Sequence, residues 1–386
     1  EENVDFPRVK EYKNSLFRKA FARFDSLPKD DSYHEFVGSN LYWLHDYALF
    51  MALKAHFYNL PWNEWEKAVA LRWGEVLAYY ENFHYFLQYK FHSQWRKIKE
   101  YANEKSIKII GDLPIFVSYD SSDTWVNSRL FELDKEGYPA KVAGVPPDYF
   151  SKTGQLWGNP HYRWDIMAED DYFWWRERFK KLLECVDYIR VDHFRGFEAY
   201  WEVPGGEETA VRGRWVKGPG KPFFALLEKY LGKLPIIAED LGFITPEVIE
   251  MRNAFSFPGM KILQFTREES IDSCEKNKNT IYYTGTHDND TLLSWYKNVV
   301  LAGLQACPDK IIPEQVCWDF IEAVFQSSCR WAIIPLQDIL CLDGWARMNH
   351  PGTVGSPNWE WRYLRASLTA EIKERLAGLT LKYGRY

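Results

Sequence analysis

Three acidic residues in this 386-residue chain each close an apolar, β-branched run that breaks into polar loop. They are Asp192 in Tyr188-Ile-Arg-Val-Asp-His-Phe-Arg195, Glu239 in Ile236-Ile-Ala-Glu-Asp-Leu-Gly242, and Asp288 in Ile281-Tyr-Tyr-Thr-Gly-Thr-His-Asp-Asn-Asp290. A short apolar run bounded in this way reads as a buried strand. In a parallel α/β barrel all the carboxyl ends of the strands open onto one face. Acids at three strand ends are therefore expected at one mouth.

The rest of the chain supports an α/β reading. Residues 1–105 read as mainly helical, with one helix from Glu81 to Tyr101 carrying Phe83, Phe86, Leu87, Phe91, Trp95 and Ile98 on one face. A strand ends near Asp112, and a punctuated loop runs over 118–165. A helix over 172–183 follows, with Asp170 and Asp171 as cap candidates. Strands at 188–192, 235–239, 260–265, 281–286 and 332–336 then alternate with helices, one of them starting at Thr245-Pro246-Glu247 with a cap residue, Pro and a carboxylate in order. Such alternation implies parallel strands joined by crossovers. The stretch 369–386 reads as a closing amphipathic helix. No repeat or polar linker marks a second domain, so 1–105 is expected as a helical insertion region and 106–386 as the catalytic barrel.

Composition excludes several classes. With 48 basic against 54 acidic residues, a net charge of −6 gives no cation excess for nucleic acid or an anionic membrane. No apolar stretch approaches the roughly 18–20 residues that span a bilayer. Six cysteines without a Cys-x-x-Cys spacing suit reduced thiols and a cytoplasmic protein. Aromatic residues reach 17%, with 18 Trp. Most must be core; several lie in loops beside polar residues, as sugar platforms do.

Glycosyl transfer gives paired carboxylates a reason to meet. A retaining enzyme needs two carboxyl groups about 5–5.5 Å apart, one attacking the anomeric carbon and one moving a proton. Asp192 would be the ionised attacker, since Arg190 two residues earlier points to the same strand face. Glu239, behind Ile236, Ile237 and Ala238, has a drier setting suited to an acid. Asp288, beside His287, would offset positive charge developing on the ring. A metal site built from His193, His287 and Asp112 lacks a compact ligand motif, so neither metal nor cofactor is expected.

At these residues the chain resembles the 4-α-glucanotransferase family, the amylomaltases or disproportionating enzymes allied to the α-amylases. The resemblance rests on Gly111-Asp-Leu-Pro-Ile-Phe-Val117, Ala143-Gly-Val-Pro-Pro-Asp-Tyr-Phe-Ser151, Gly154-Gln-Leu-Trp-Gly-Asn-Pro160, Arg190-Val-Asp-His-Phe-Arg-Gly196, Ala238-Glu-Asp-Leu-Gly242 and Gly285-Thr-His-Asp-Asn-Asp-Thr291. It implies a TIM-type (β/α)8 barrel with helical and loop insertions. Asp192 would be the nucleophile, Glu239 the acid/base and Asp288 the transition-state stabiliser. Arg190 would orient Asp192, His193 and His287 would contact sugar hydroxyls, and Asp112 would take the place of an acid closing a strand. The segment around Asp148 resembles a cover over the acceptor groove.

The resemblance starts at roughly the third barrel strand of the family, so the chain is expected to lack the first two and to be weakly active or inactive alone. Among the aromatics, Tyr149, Phe150 and Trp157 are assigned to glucan contact, and Tyr162 and Trp164 to packing. Gln337 and Asp338, ending the last strand, are assigned to sugar contact or its support, Arg347 to structure, and His350 is left open. The expected substrates are α-1,4-glucans and malto-oligosaccharides with glucose as acceptor. Two alternatives stay open, an α-amylase-type hydrolase and a glucan-binding scaffold without turnover.

Overall fold

The computed structural model describes residues 3–72, 82–147, 151–265, 278–301 and 312–386. The chain forms two compact units, one made of 1–10, 240–243 and 256–386, the other of 11–239 and 244–255. The longer helices are α1 (Phe6–Asp25), α2 (Asp31–His56), α3 (Asn82–Glu104), α4 (Phe173–Cys185), α5 (Gly220–Leu231), α6 (Pro246–Ala254), α7 (Pro313–Gln326) and α8 (Ala370–Lys382). The strands among the described residues are β1 (Ile110–Leu113), β2 (Lys141–Val145), β3 (Gln155–Pro160), β4 (Tyr188–Val191), β5 (Ala199–Pro204), β6 (Arg214–Lys217), β7 (Ile236–Ala238), β8 (Gly259–Ile262), β9 (Thr280–Tyr283) and β10 (Trp331–Ile333). No helix among the described residues is long and apolar enough to cross a membrane.

All six strands expected from apolar runs are present, and their pairing is parallel. In the larger unit the order is β1-β4-β7, and in the smaller unit β10-β9-β8. Burial explains the run composition. Ile189, Val191, Ile236, Ile237 and Ala238 are 0–2% exposed, as strands covered on both faces require.

The stretch 118–165, expected as loop, instead holds a short helix (Ser122–Val126) and two strands of a four-stranded antiparallel sheet, β3-β2-β5-β6. Gly144 and Gly154, which read as breaks, serve close backbone approach. A Cβ at Gly144 would come within 2.4 Å of the Gln155 carbonyl oxygen, so only glycine lets β2 and β3 pair there.

The helical region packs by aromatic contact. Phe83 and Phe86 at the start of α3 are buried against Phe21 and Phe24 of α1. The expected apolar face does not continue. Phe91 and Ile98 are about half exposed, and the later turns of α3 are held by polar contacts, Trp95 Nε1 and Lys99 Nζ donating to carbonyls of Cys185 and Leu183. In α4, Tyr172 precedes the helix and Trp175 and Phe179 are its buried face, with Asp170 accepting from the Phe173 N–H. In the smaller unit α8 lays Ile372, Leu376 and Leu379 onto Trp318, Ile321 and Phe325 of α7.

Candidate active site

The register of β1, β4 and β7 places the first two acids. Asp112 lies opposite Arg190, and Val191 opposite both Leu113 and Ala238. One residue on, the Asp192 N–H donates to the Leu113 carbonyl (3.0 Å), and the Glu239 N–H to the Val191 carbonyl (3.1 Å). Asp192 and Glu239 thus leave neighbouring strand ends as continuations of the same ladder.

Arg190 joins the acids around it. Its Nη1 donates to both Asp112 oxygens at 2.7 and 2.8 Å, and its Nη2 meets Asp192 at 2.9 Å. The guanidinium is 11% exposed, whereas the Asp112 and Asp192 side chains are 44% and 39% exposed. Burial works against its charge, yet Asp112, Asp192 and Glu239 outweigh that and raise its pKa above the ordinary value. A planar fork can serve two carboxylates at once in a fixed geometry; an ammonium cannot.

His193 follows Asp192 in the left-handed region, with φ +50°, uncommon for a residue with a side chain. The turn aims its backbone N–H at Glu239, which accepts it at 2.8 Å, while the Phe194 N–H donates to the Glu239 carbonyl. Burial, with Arg195 and His161 adding to it, pushes the His193 pKa down to about 3, so the ring is neutral. Its Nε2 is buried with no hydrogen-bond partner among the described residues. Trp157 of β3 stands edge-on to the ring, centroids 5.0 Å apart, and keeps 36% of its own surface exposed.

Tyr162 and Trp164 are packing residues as expected. Tyr162 is buried with its hydroxyl on the Ile115 carbonyl, and Trp164 stacks on Trp175. Asp123 accepts from Trp174 Nε1, and the Trp125 indole N–H reaches the Ala70 carbonyl. Asp148, Tyr149 and Phe150 lie outside the described residues.

Asp288 belongs to the smaller unit, in the turn after β9. Its Oδ1 accepts from Asn349 Nδ2 at 2.7 Å, its Oδ2 is 3.3 Å from His287 Nε2, and its carbonyl accepts from Arg347 Nη2 at 2.7 Å. Arg347 Nε also donates to the Asn349 carbonyl, and the Asn349 N–H to the His287 carbonyl. The His287 ring faces Trp359, 5.2 Å away at 37°, and Trp359 is half exposed. Asn349 and Trp359 carry no strand-end or acidic signature, so the sequence reading missed them. The one signal for Asn349 is the short Met348-Asn-His-Pro-Gly352 string, and Trp359 lies beyond it. His350 donates its backbone N–H to Asn358 within that turn.

Asp338 is 2% exposed, accepting from the Thr284 hydroxyl (2.6 Å) and the Leu292 N–H (2.8 Å). Burial raises its pKa to about 6. These bonds anchor it inside the unit. Gln337 is buried beside it and donates to the Ala346 carbonyl. Among the described residues no group of three or more His, Cys, Asp or Glu is placed to hold a metal ion.

Parallel strands that set acids at their carboxyl ends, with one guanidinium joining Asp112 and Asp192, define an α/β protein with an acidic strand-end site. Residues 1–368 match the family model described as 4-alpha-glucanotransferase. The chain is 45% identical to the 4-alpha-glucanotransferase of Streptococcus pneumoniae, covering 99% of this chain and 79% of that protein. It is 42% identical to that of Thermus thermophilus, covering 97% and 80%. The amylomaltase of Streptococcus agalactiae, solved in complex with acarbose, has a TM-score of 0.90 with this chain at 38% identity, covering 99% and 80%. The chain belongs to the 4-alpha-glucanotransferase family, enzymes that move α-1,4-glucan segments from donor to acceptor. Of the readings the sequence left open, transfer is the one these relatives favour over hydrolysis or binding alone.

Proposed function

We propose that this chain disproportionates malto-oligosaccharides by a retaining double displacement in which Asp192, Glu239 and Asp288 are the catalytic acids. The observation that carries the reading is the β4–β7 pairing, which sets Asp192 and Glu239 on adjoining strand ends with Arg190 on Asp192 and the His193 N–H on Glu239. Asp192 attacks the anomeric carbon while Glu239 protonates the departing 4-oxygen. A β-linked glycosyl-enzyme forms. Glu239 then takes the proton from an acceptor 4-hydroxyl, which displaces Asp192 with net retention. Asp288, with one carboxylate oxygen held by Asn349, offsets the charge on the oxocarbenium-like transition state.

The remaining assignments follow this scheme. His193, His287, Asp112 and Trp157 contact the sugars, and the segment 118–165 with Asp148, Tyr149 and Phe150 covers the acceptor side. Transfer prevails over hydrolysis where such a cover keeps water from the intermediate. Glucose is the smallest acceptor. The six parallel strands alternating with helices support their membership of a TIM-type (β/α)8 barrel. A net charge of −6 favours neutral sugars over polyanions as partners.

An activated fluoroglucoside whose ring fluorine slows breakdown of the glycosyl-enzyme tests the scheme. Peptide mapping after quenching is expected to find the sugar on Asp192. A sugar on another side chain, or inverted product by NMR, would sink it. Incubation with maltotriose is expected to give glucose and a ladder of longer oligomers, whereas shortening with rising reducing ends would mean hydrolysis.

A further inference from the structure

The larger unit contains a cavity of about 320 Å³ whose charge runs against that of the whole chain. The chain carries a net charge of −6, yet among the described residues the cavity is lined by four cations, Arg72, Arg129, Lys135 and Arg163, and a single acid, Asp134. Asp134 is already engaged, since its Oδ1 accepts the backbone N–H groups of Glu136 and Tyr138, both at 2.9 Å. The transfer scheme uses none of these side chains.

The four cations are held unequally. Arg72 is fixed, its guanidinium 4.6 Å from the centroid of the buried Trp125 ring and its Nη2 on Asp46 at 3.0 Å. Its Nη1 is buried with no hydrogen-bond partner among the described residues. A buried guanidinium N–H without an acceptor costs free energy that an incoming oxyanion restores. Arg163 and Lys135 have only loose partners, Asp165 at 3.9 Å and Glu136 at 3.6 Å, all on exposed side chains. Such surface pairs contribute little and are readily exchanged for a better acceptor. Arg129 is exposed.

We propose that this cavity binds the phosphate group of a phosphorylated sugar, with Arg72 as the fixed anchor and Arg129, Lys135 and Arg163 closing on the remaining oxygens. A phosphate monoester brings a charge of about −1.5 to −2 at pH 7 and three strong acceptor oxygens. Guanidinium forks match that geometry with paired, charge-assisted hydrogen bonds. A neutral glucan has no charge to set against this cluster, so the site is separate from recognition of the transferred chain. Size and lining point to more than a bare phosphate. The volume reaches the roughly 300 Å³ at which small-molecule sites begin, and the buried Trp62 and Phe131 in its lining suit the carbon face of a sugar ring. Free phosphate shares the charge chemistry, and the titrations below separate the two.

Isothermal titration of the whole chain with glucose 6-phosphate, inorganic phosphate and glucose tests this. Glucose 6-phosphate is expected to bind more tightly than inorganic phosphate, and to weaken markedly between about 0.1 and 1 M salt as the screening length falls from about 10 to 3 Å. Arg129→Gln and Arg163→Gln should each lower its affinity about tenfold, the scale of one lost hydrogen bond to a charged group. Because Arg129 is exposed, Arg129→Gln removes the charge without opening the interior. Arg72→Lys, which keeps the charge and loses the fork, should weaken binding by a similar factor. Arg96→Gln, an exposed cation outside the cavity lining, should leave binding unchanged, and none of the variants should alter the titration with glucose. Equal affinity for inorganic phosphate would overturn the sugar part. No binding of either phosphate, affinities indifferent to the three cavity variants, or an equal loss in Arg96→Gln would overturn the site.

Discussion

The acids of the two units are held by different means. In the larger unit, Asp192 and Glu239 continue paired strands, so main-chain ladder bonds set their positions and a single guanidinium sets their charge balance. In the smaller unit, Asp288 lies in a turn, and side chains from the 347–349 segment do the work, Asn349 on its carboxylate and Arg347 on its carbonyl. A ladder is rigid whatever residue it carries. A turn is only as rigid as its braces, so substitutions outside the acids should matter more for Asp288.

The largest expected effect is removal of the nucleophile. Asp192→Asn leaves the β4 ladder intact and should lower the transfer rate by about 10⁴-fold or more, the scale seen when a covalent nucleophile is lost. Unchanged circular dichroism with near-normal glucose release from maltotriose would remove Asp192 from the mechanism.

Next comes the guanidinium. Arg190→Lys keeps a positive charge but loses the fork that serves Asp112 and Asp192 together. A loss of about 100-fold in kcat with little change in KM is expected, because orientation of the attacker is what fails. A change confined to KM would instead make Arg190 a substrate-binding residue.

Asn349→Ala addresses the brace. A hydrogen bond to a charged group contributes about 1.5–3 kcal/mol, so a loss of roughly ten- to 100-fold is expected, with the fold unchanged. The comparison sharpens if Asn349→Asp is worse still, since it sets a second carboxylate against Asp288 at the 2.7 Å contact. Equal activity of both variants with the unsubstituted chain would show that the turn needs no brace.

These contrasts track what the sequence made legible. A strand-end acid announces itself, because the apolar run and the break are local, and the two-residue spacing of Arg190 and Asp192 implies a shared strand face. The brace on Asp288 spans 61 residues from Asn349, and nothing periodic links the two. The antiparallel sheet was hidden for another reason. Gly144, Gly154 and Gly158 read as loop residues, yet they let short strands approach closely or turn sharply. Asp338 differs from the other strand-end acids in a way its place after β10 does not announce, since Thr284 and the Leu292 N–H hold it inside the unit.

The smallest expected effect compares two buried titratable groups, one in each unit, that respond to pH with opposite sign. His161, fully buried in the larger unit with its Nε2 on the Trp201 carbonyl, has its pKa pushed down by burial to about 4 from 6.5. Its unfolded form binds a proton at higher pH than its folded form, so its contribution to stability falls as pH drops from about 6.5 toward 4. At pH 5 the loss is about 2 kcal/mol. Asp338 in the smaller unit has its pKa raised to about 6 from 3.8, so there the folded form holds the proton more tightly, and stability is lost as pH rises through 4 to 6, by about 2 kcal/mol. Between pH 4 and 6 the two slopes oppose each other. His161→Gln should flatten the acid limb of a urea-denaturation stability profile, and Asp338→Asn should steepen it. Identical slopes in both variants and the unsubstituted chain would mean that neither group titrates in that range. A steeper limb in His161→Gln would reverse the assigned direction of its shift.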